Sequence, residues 1–117
     1  VAVIYIYKNC DTCRKALKWL SERGIAAEQR PVRETPPTAA ELEKALQTTG
    51  GDLSRLFNTS GGDYREMGLK DRLPGMSRGD AITLLGSNGN LVKRPLFIDG
   101  EKVLIGFNPE EWNSKLL

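Results

Sequence analysis

The hydrophobic residues of this chain change period several times, and each change marks an element. Residues 3–7, Val-Ile-Tyr-Ile-Tyr, are an unbroken apolar run rich in β-branched and aromatic side chains, which predicts a buried strand. From Asp11 the period lengthens to that of a helix. Cys13, Ala16, Leu17 and Leu20 fall on one stripe, and Arg14, Lys15, Lys18 and Glu22 fall outside it. Gly24 is a natural stop for that helix, and residues 25–32, with Pro31 near their end, predict a second strand. A strand–helix–strand unit of this kind normally pairs its strands in parallel through a right-handed crossover.

The middle of the chain reads as helical. Thr38 and Glu41 make a capping-box pattern ahead of Leu42, Ala45 and Leu46, and Gly50-Gly51 ends that segment. Leu53, Leu56 and Phe57 predict a short helical piece, residues 58–63 a loop, and Tyr64 to Leu69 the start of another helix. Ser77 with Asp80 marks a further helix start before Ala81, Ile82, Leu84 and Leu85, so residues 38–85 form a compact helical insertion. Gly86 to Asn90 has the composition of a loop. Leu96 to Ile105 then predicts two strands around Asp99-Gly100, and Asn108-Pro109-Glu110-Glu111 opens a last helix carrying Trp112 and Leu116 on one face. Trp19 and Trp112 read as packing residues. The expected class is α/β, a β-α-β unit, inserted helices and a β-β-α unit around a mixed four-stranded sheet, in a single domain over residues 1–117.

Composition narrows the chemistry. A net charge of +2 lacks the basic excess of a nucleic-acid-binding surface, so no direct nucleic-acid partner is expected. No apolar run approaches the ~20 residues of a membrane helix, and the first residues lack the basic flank of a signal peptide, so a cytoplasmic protein with no membrane contact is expected. Histidine is absent, which removes Cys–His couples, Ser–His–Asp triads and His-ligated metals. Zinc normally takes four ligands, and with two cysteines and no histidine no metal site is expected. Ser60-Gly61-Gly62-Asp63 lacks the Walker pattern and reads as a turn.

The two cysteines are Cys10 and Cys13, a C-x-x-C directly after the first strand and at the start of the first helix. There, unsatisfied backbone N–H groups and the helix dipole favour thiolate over thiol. Cys10 is expected to be the accessible nucleophile. Cys13, on the apolar stripe and one turn on, is expected to be the buried resolving thiol. Their loop is too short to staple a fold, so a reversible dithiol is the better reading. Arg94 is a candidate thiolate stabiliser or anion clamp. Arg14 and Lys15 either add positive potential or form a solvated helix face. Asp11 either meets substrate or serves as a first-turn acid.

Three motifs together resemble the ArsC/Spx family of thioredoxin-fold proteins over nearly the whole chain. They are Tyr7-x-x-Cys10-x-x-Cys13-Arg14-Lys15-Ala16; Leu56-Phe57-Asn58-Thr59 with Tyr64-Arg65-Glu66-Met67-Gly68-Leu69; and Lys93-Arg94-Pro95-Leu96 with Gly106-Phe107. The middle segment is most similar to an uncharacterised arsenate-reductase-like group in that family. The resemblance implies a thioredoxin-like fold in which Pro95 is cis and Arg94 packs against the active thiol. Family reductases use a cysteine at the position of Cys10 and hold an oxyanion with three arginines. Arg94 matches one of these, while Asn58 and Gly106 stand at the other two positions.

The implied activity is a thiol–disulfide or glutathione-dependent reductase with Cys10, Cys13 and Arg94 as catalytic residues. Asp11, Thr12, Arg14 and Pro95 would surround the substrate. No cofactor would be bound, and glutathione, glutaredoxin or thioredoxin would supply electrons to a monomer. Two alternatives stand beside it. One is an Spx-like redox-responsive regulator of RNA polymerase, although the charged extension such regulators carry past the last helix has no counterpart before Leu117. The other is a true arsenate reductase, holding its anion in part on backbone N–H groups of residues 11–14.

Overall fold

The structure, a computed structural model, describes residues 1–117. Its elements are β1 (Val3–Ile6), α1 (Asp11–Glu22), β2 (Glu28–Pro31), α2 (Ala39–Thr48), α3 (Gly62–Glu66), α4 (Leu69–Arg72), α5 (Arg78–Ser87), β3 (Leu96–Asp99), β4 (Lys102–Ile105) and α6 (Pro109–Leu116). Short 3₁₀ turns lie at Leu53–Leu56, Leu73–Gly75 and Gly89–Leu91. The sheet order is β2-β1-β3-β4; β1 and β2 run parallel, and β1–β3 and β3–β4 are antiparallel. This is the expected mixed α/β sheet of the thioredoxin-like arrangement.

Strand alternation divides the core between the two faces of this sheet. Ile4 pairs with Phe97, and Phe97 with Leu104, so the three form one row across β1, β3 and β4. That row packs on Ala16, Trp19 and Leu20 of α1 and on Trp112 of α6. Tyr5, Leu96, Ile98 and Val103 point the other way, into the inserted helices. Trp112 is fully buried, lies against Trp19, Phe97 and Phe107, and donates Nε1–H to the Gly106 carbonyl at 3.1 Å. Both tryptophans are packing residues, as expected, and Trp19 takes the buried place on α1 that the stripe assigns to Leu17, which is half-buried. On the opposite face the Tyr5 hydroxyl donates to Glu41 Oε1 at 2.7 Å, and that oxygen also accepts from the Thr38 N–H at 2.9 Å. The capping box of α2 is therefore tied directly to the sheet.

Several expected boundaries shift. The second strand is four residues rather than the whole of 25–32, because Ile25 and Ala27 pack against the α1 side before the chain reaches the sheet edge. The helix expected from Tyr64 begins at Gly62 and stops at Glu66, where Gly68 takes a left-handed conformation (φ 62°) and starts α4. The inserted region runs past residue 85. α5 continues to Ser87, and the segment expected to be a loop turns through Gly89–Leu91, with Asn88 Oδ1 capping the Asn90 N–H at 3.0 Å.

Gly89 is required by contact rather than by turn geometry. A Cβ at this position would sit 1.8 Å from the Val32 carbonyl oxygen, so the chain leaving β2 lies directly against the Gly89 backbone. Gly79, inside α5, has open space around the corresponding position. Gly89→Ala is expected to lower stability by about 1–3 kcal/mol through overpacking. Gly79→Ala should raise it by roughly 0.5–1 kcal/mol through a stiffer unfolded chain and better helix propensity. Urea unfolding of the two variants measures both effects.

Candidate functional site

β1 delivers the chain to Cys10, whose backbone is extended (φ −114°, ψ 112°) and whose N–H donates to the Tyr7 carbonyl at 3.2 Å. Cys10 is the N-cap of α1. Its Sγ accepts the Cys13 N–H at 3.1 Å, in the place where a serine or aspartate oxygen would cap a helix. The cap leaves Cys10 half-buried, with its sulfur at the N-terminus of α1. Cys13 is 1 % exposed, held under α1 by the stripe it shares with Ala16 and Leu20. Both thiols are free. Burial, then the neighbouring Cys10 sulfur, pushes the Cys13 thiol up to about 12. The pair is thus unequal: one sulfur faces out at a helix N-terminus, and the other is kept as a neutral thiol.

The Arg94–Pro95 peptide bond is cis, as expected, and Pro95 is buried. Arg94 is half-buried. Its Nε–H donates to Val92 O at 3.1 Å, and its Nη2 donates to Gly89 O at 2.8 Å and Asn90 O at 3.0 Å. Three carbonyls therefore fix the guanidinium and leave Nη1 without an acceptor in the protein. Burial lowers its proton affinity, and the nearby Cys10 and Cys13 sulfurs oppose that lowering. An arginine remains charged under such conditions, so a fixed cation faces the dithiol.

Three further candidate residues belong to the start of α1. Asp11 and Thr12 are exposed in the first turn of α1. Arg14 pairs with Asp11 and donates Nη1–H to the Lys8 carbonyl at 2.9 Å, so its charge is compensated and it braces the loop ahead of Cys10. Asn58 is held by its N–H to the Leu91 carbonyl at 2.7 Å and lines a pocket with Arg94. Gly106 has φ 72°, donates its N–H to Pro95 O at 2.8 Å, and would meet the Lys93 stem if given a Cβ. No cation is presented from position 106 itself.

Sequence reasoning missed Arg33. It stands at the pocket shared by Tyr7, Asn58 and Arg94, a hollow of about 310 Å³. The parallel pairing of β1 and β2 carries the signal that could have found it. Residues just beyond two neighbouring parallel strands come together where open α/β sheets bind ligands, and Val32 N–H donates to Ile6 O at 2.9 Å there. No group of three or more cysteine, aspartate or glutamate residues in the chain could hold a metal ion, and no helix is long and apolar enough to cross a membrane.

The model of the ArsC family matches residues 5–114. YusI of Bacillus subtilis, an uncharacterised protein, is 46% identical over 94% of this chain and 93% of its own length. The regulatory protein MgsR of the same organism is 29% identical over 92% of this chain and 83% of its own. Among solved structures, a possible arsenate reductase from Streptococcus mutans UA159 superposes with a TM-score of 0.87 at 36% identity, covering 96% of this chain and 97% of that one.

The contrast between the thiols has a direct test. Between about pH 6 and pH 9, iodoacetamide should modify one thiol per native chain, at Cys10, and both after unfolding. The raised Cys13 value also gives a sign for stability. Its contribution is fully present below the unfolded thiol's value of about 8.5 and is lost as pH rises toward about 12, a slope that Cys13→Ala removes. Mass mapping of the alkylated peptides and urea unfolding across that window read the two effects.

Proposed function

The chain belongs to the ArsC family, and on that premise we propose that it is a thiol–disulfide oxidoreductase working through Cys10 and Cys13. What carries this reading is the unequal dithiol: Cys10 Sγ caps α1 in a half-buried position, while Cys13 is buried, neutral and one turn away. The Cys10 thiolate attacks one sulfur of a disulfide substrate. A Cys10–substrate disulfide forms, the substrate S–S bond breaks, and the departing thiolate takes a proton from solvent. Cys13 then gives up its proton and attacks Cys10 Sγ, releasing the second substrate thiol and leaving a Cys10–Cys13 disulfide.

The substrate gains two electrons in this cycle and the protein loses two. A thiol reductant of the glutathione, glutaredoxin or thioredoxin class returns the pair to the dithiol. Arg94 assists by holding positive charge beside the sulfurs as negative charge moves between them. Arsenate reduction by the same thiol has a weaker basis in the residues present, since Asn58 and Gly106 bring no positive charge to the anion.

A second reading has its own support in the similarity to MgsR and in the shared resemblance to Spx-type regulators. Oxidation of the same dithiol would then change affinity for RNA polymerase rather than complete a catalytic cycle. Polymerase captured from lysate in only one redox state would favour this regulator. For the oxidoreductase, Cys10→Ser should abolish turnover of a disulfide substrate, and Cys13→Ser should accumulate a mixed disulfide at Cys10 visible by mass spectrometry. Undiminished turnover by Cys10→Ser would sink the proposal.

A further inference from the structure

The pocket beside the dithiol holds two guanidinium groups and one carboxylate, none paired with another. Arg33 reaches it from the chain leaving β2. Its Nη1 donates to the Tyr7 hydroxyl at 3.0 Å, and its guanidinium lies 5.1 Å from the Tyr7 ring centroid. Arg94 approaches the same ring at 5.6 Å. The two cations are near enough that Arg33 works against the charge on Arg94. No protein carboxylate pairs with either of them, and like charges held together favour an anion between them. The arrangement is built into the backbone: Arg94 binds the Gly89 carbonyl, and Val32 lies against Gly89 so closely that no side chain fits.

On another wall, Asp63 Oδ2 accepts from Asn88 Nδ2 at 3.1 Å and Asn90 Nδ2 at 3.2 Å. These amides hold the carboxylate in place, while Oδ1 has no partner within the chain and Asp63 makes no ion pair. A hollow of about 310 Å³ with two cations and a separate carboxylate exceeds what a single tetrahedral oxyanion needs. It suits a group bearing both charges. Tyr7 links the hollow to the chemistry, since its carbonyl accepts the Cys10 N–H.

We propose that Arg33, Arg94 and Asp63 bind the α-amino-acid end of the small thiol or disulfide that reacts at Cys10, the guanidiniums taking its carboxylate and Asp63 its ammonium. The assignment rests on the thiol–disulfide reading above and names the chemistry by which that substrate is chosen. Arg33 supplies positive charge that positions 58 and 106 do not. Arg94 lines the hollow and also lies near the Cys10 and Cys13 sulfurs, so it joins the bound group to the reacting thiol.

The test measures single-turnover oxidation of the reduced protein by four disulfides: cystine, dithiodipropionate, hydroxyethyl disulfide and cystamine. Cystine, with both charges, should react fastest, and cystamine, with ammonium groups only, slowest. Arg33→Gln should lower the cystine-to-hydroxyethyl disulfide rate ratio about three- to tenfold, the worth of one charge-assisted contact at a partly open site. Asp63→Asn should lower the cystine-to-dithiodipropionate ratio by about as much. Ratios unchanged in Arg33→Gln would overturn the site.

S-methylcysteine, which has no reactive sulfur, provides a second readout by NMR. It should shift the amides of Arg33, Asp63 and Arg94 in the wild-type protein, and the absence of these shifts would also overturn the site. Inorganic phosphate moving the same amides further at equal concentration would replace the assignment with an oxyanion pocket. A protein that binds S-methylcysteine but is inert to all four disulfides would uphold the site and overturn the thiol–disulfide reading.

Discussion

The Cys13 N–H points at the Cys10 sulfur, and the organisation of the site follows from that one bond. It can form only if α1 begins at Asp11, so that Cys10 takes the capping position and Cys13 the first inward-facing one. The helix is held in that register by its apolar stripe. Cys13, Ala16, Trp19 and Leu20 are buried, and the last three pack with the row Ile4–Phe97–Leu104 across the sheet. A rotation of α1 by one residue, about 100°, would carry Cys13 off the buried face and break the cap. The core on this face therefore determines which thiol meets solvent.

Charge around the dithiol is distributed with the same economy. Arg94 is immobilised by three carbonyls and stays near both sulfurs, whereas Arg14, although adjacent to Cys13 in sequence, is occupied by Asp11 and the Lys8 carbonyl. A fixed, half-buried guanidinium is screened less by water than an exposed paired one, so it exerts the larger influence on a thiolate. Proximity along the chain is a poor guide to electrostatic effect here. The half-buried cation nearest in effect to the two sulfurs, Arg94, comes from the loop before β3.

Membership of the ArsC family fixes the scaffold and leaves the use of the thiol to local chemistry. The family resemblance places arginines at positions 58 and 106, where this chain has an asparagine and a glycine. Asn58 still lines the pocket through its amide, while Gly106 serves the backbone, linking Pro95 to the Trp112 indole. The chain's relatives include the regulators MgsR and Spx as well as a possible arsenate reductase.

Much of this was legible in the sequence, and the legible parts share a cause. The strand at residues 3–7, the caps at Thr38, Ser77 and Asn108, the α1 stripe and the exposed-versus-buried order of Cys10 and Cys13 are set by residues within a turn or two of each other. Local sterics, hydrogen bonds and hydrophobic period therefore reveal them. The limits of β2 and the break at Gly68 were less legible, because packing of Ile25 and Ala27 and a left-handed glycine decide them. What only the tertiary structure decided is the meeting of Arg33 with Arg94. That meeting depends on the parallel register of β1 and β2 and on the contact of Val32 with Gly89. Neither leaves a periodic trace in the chain, since each arises where segments remote in sequence are pressed together by the core.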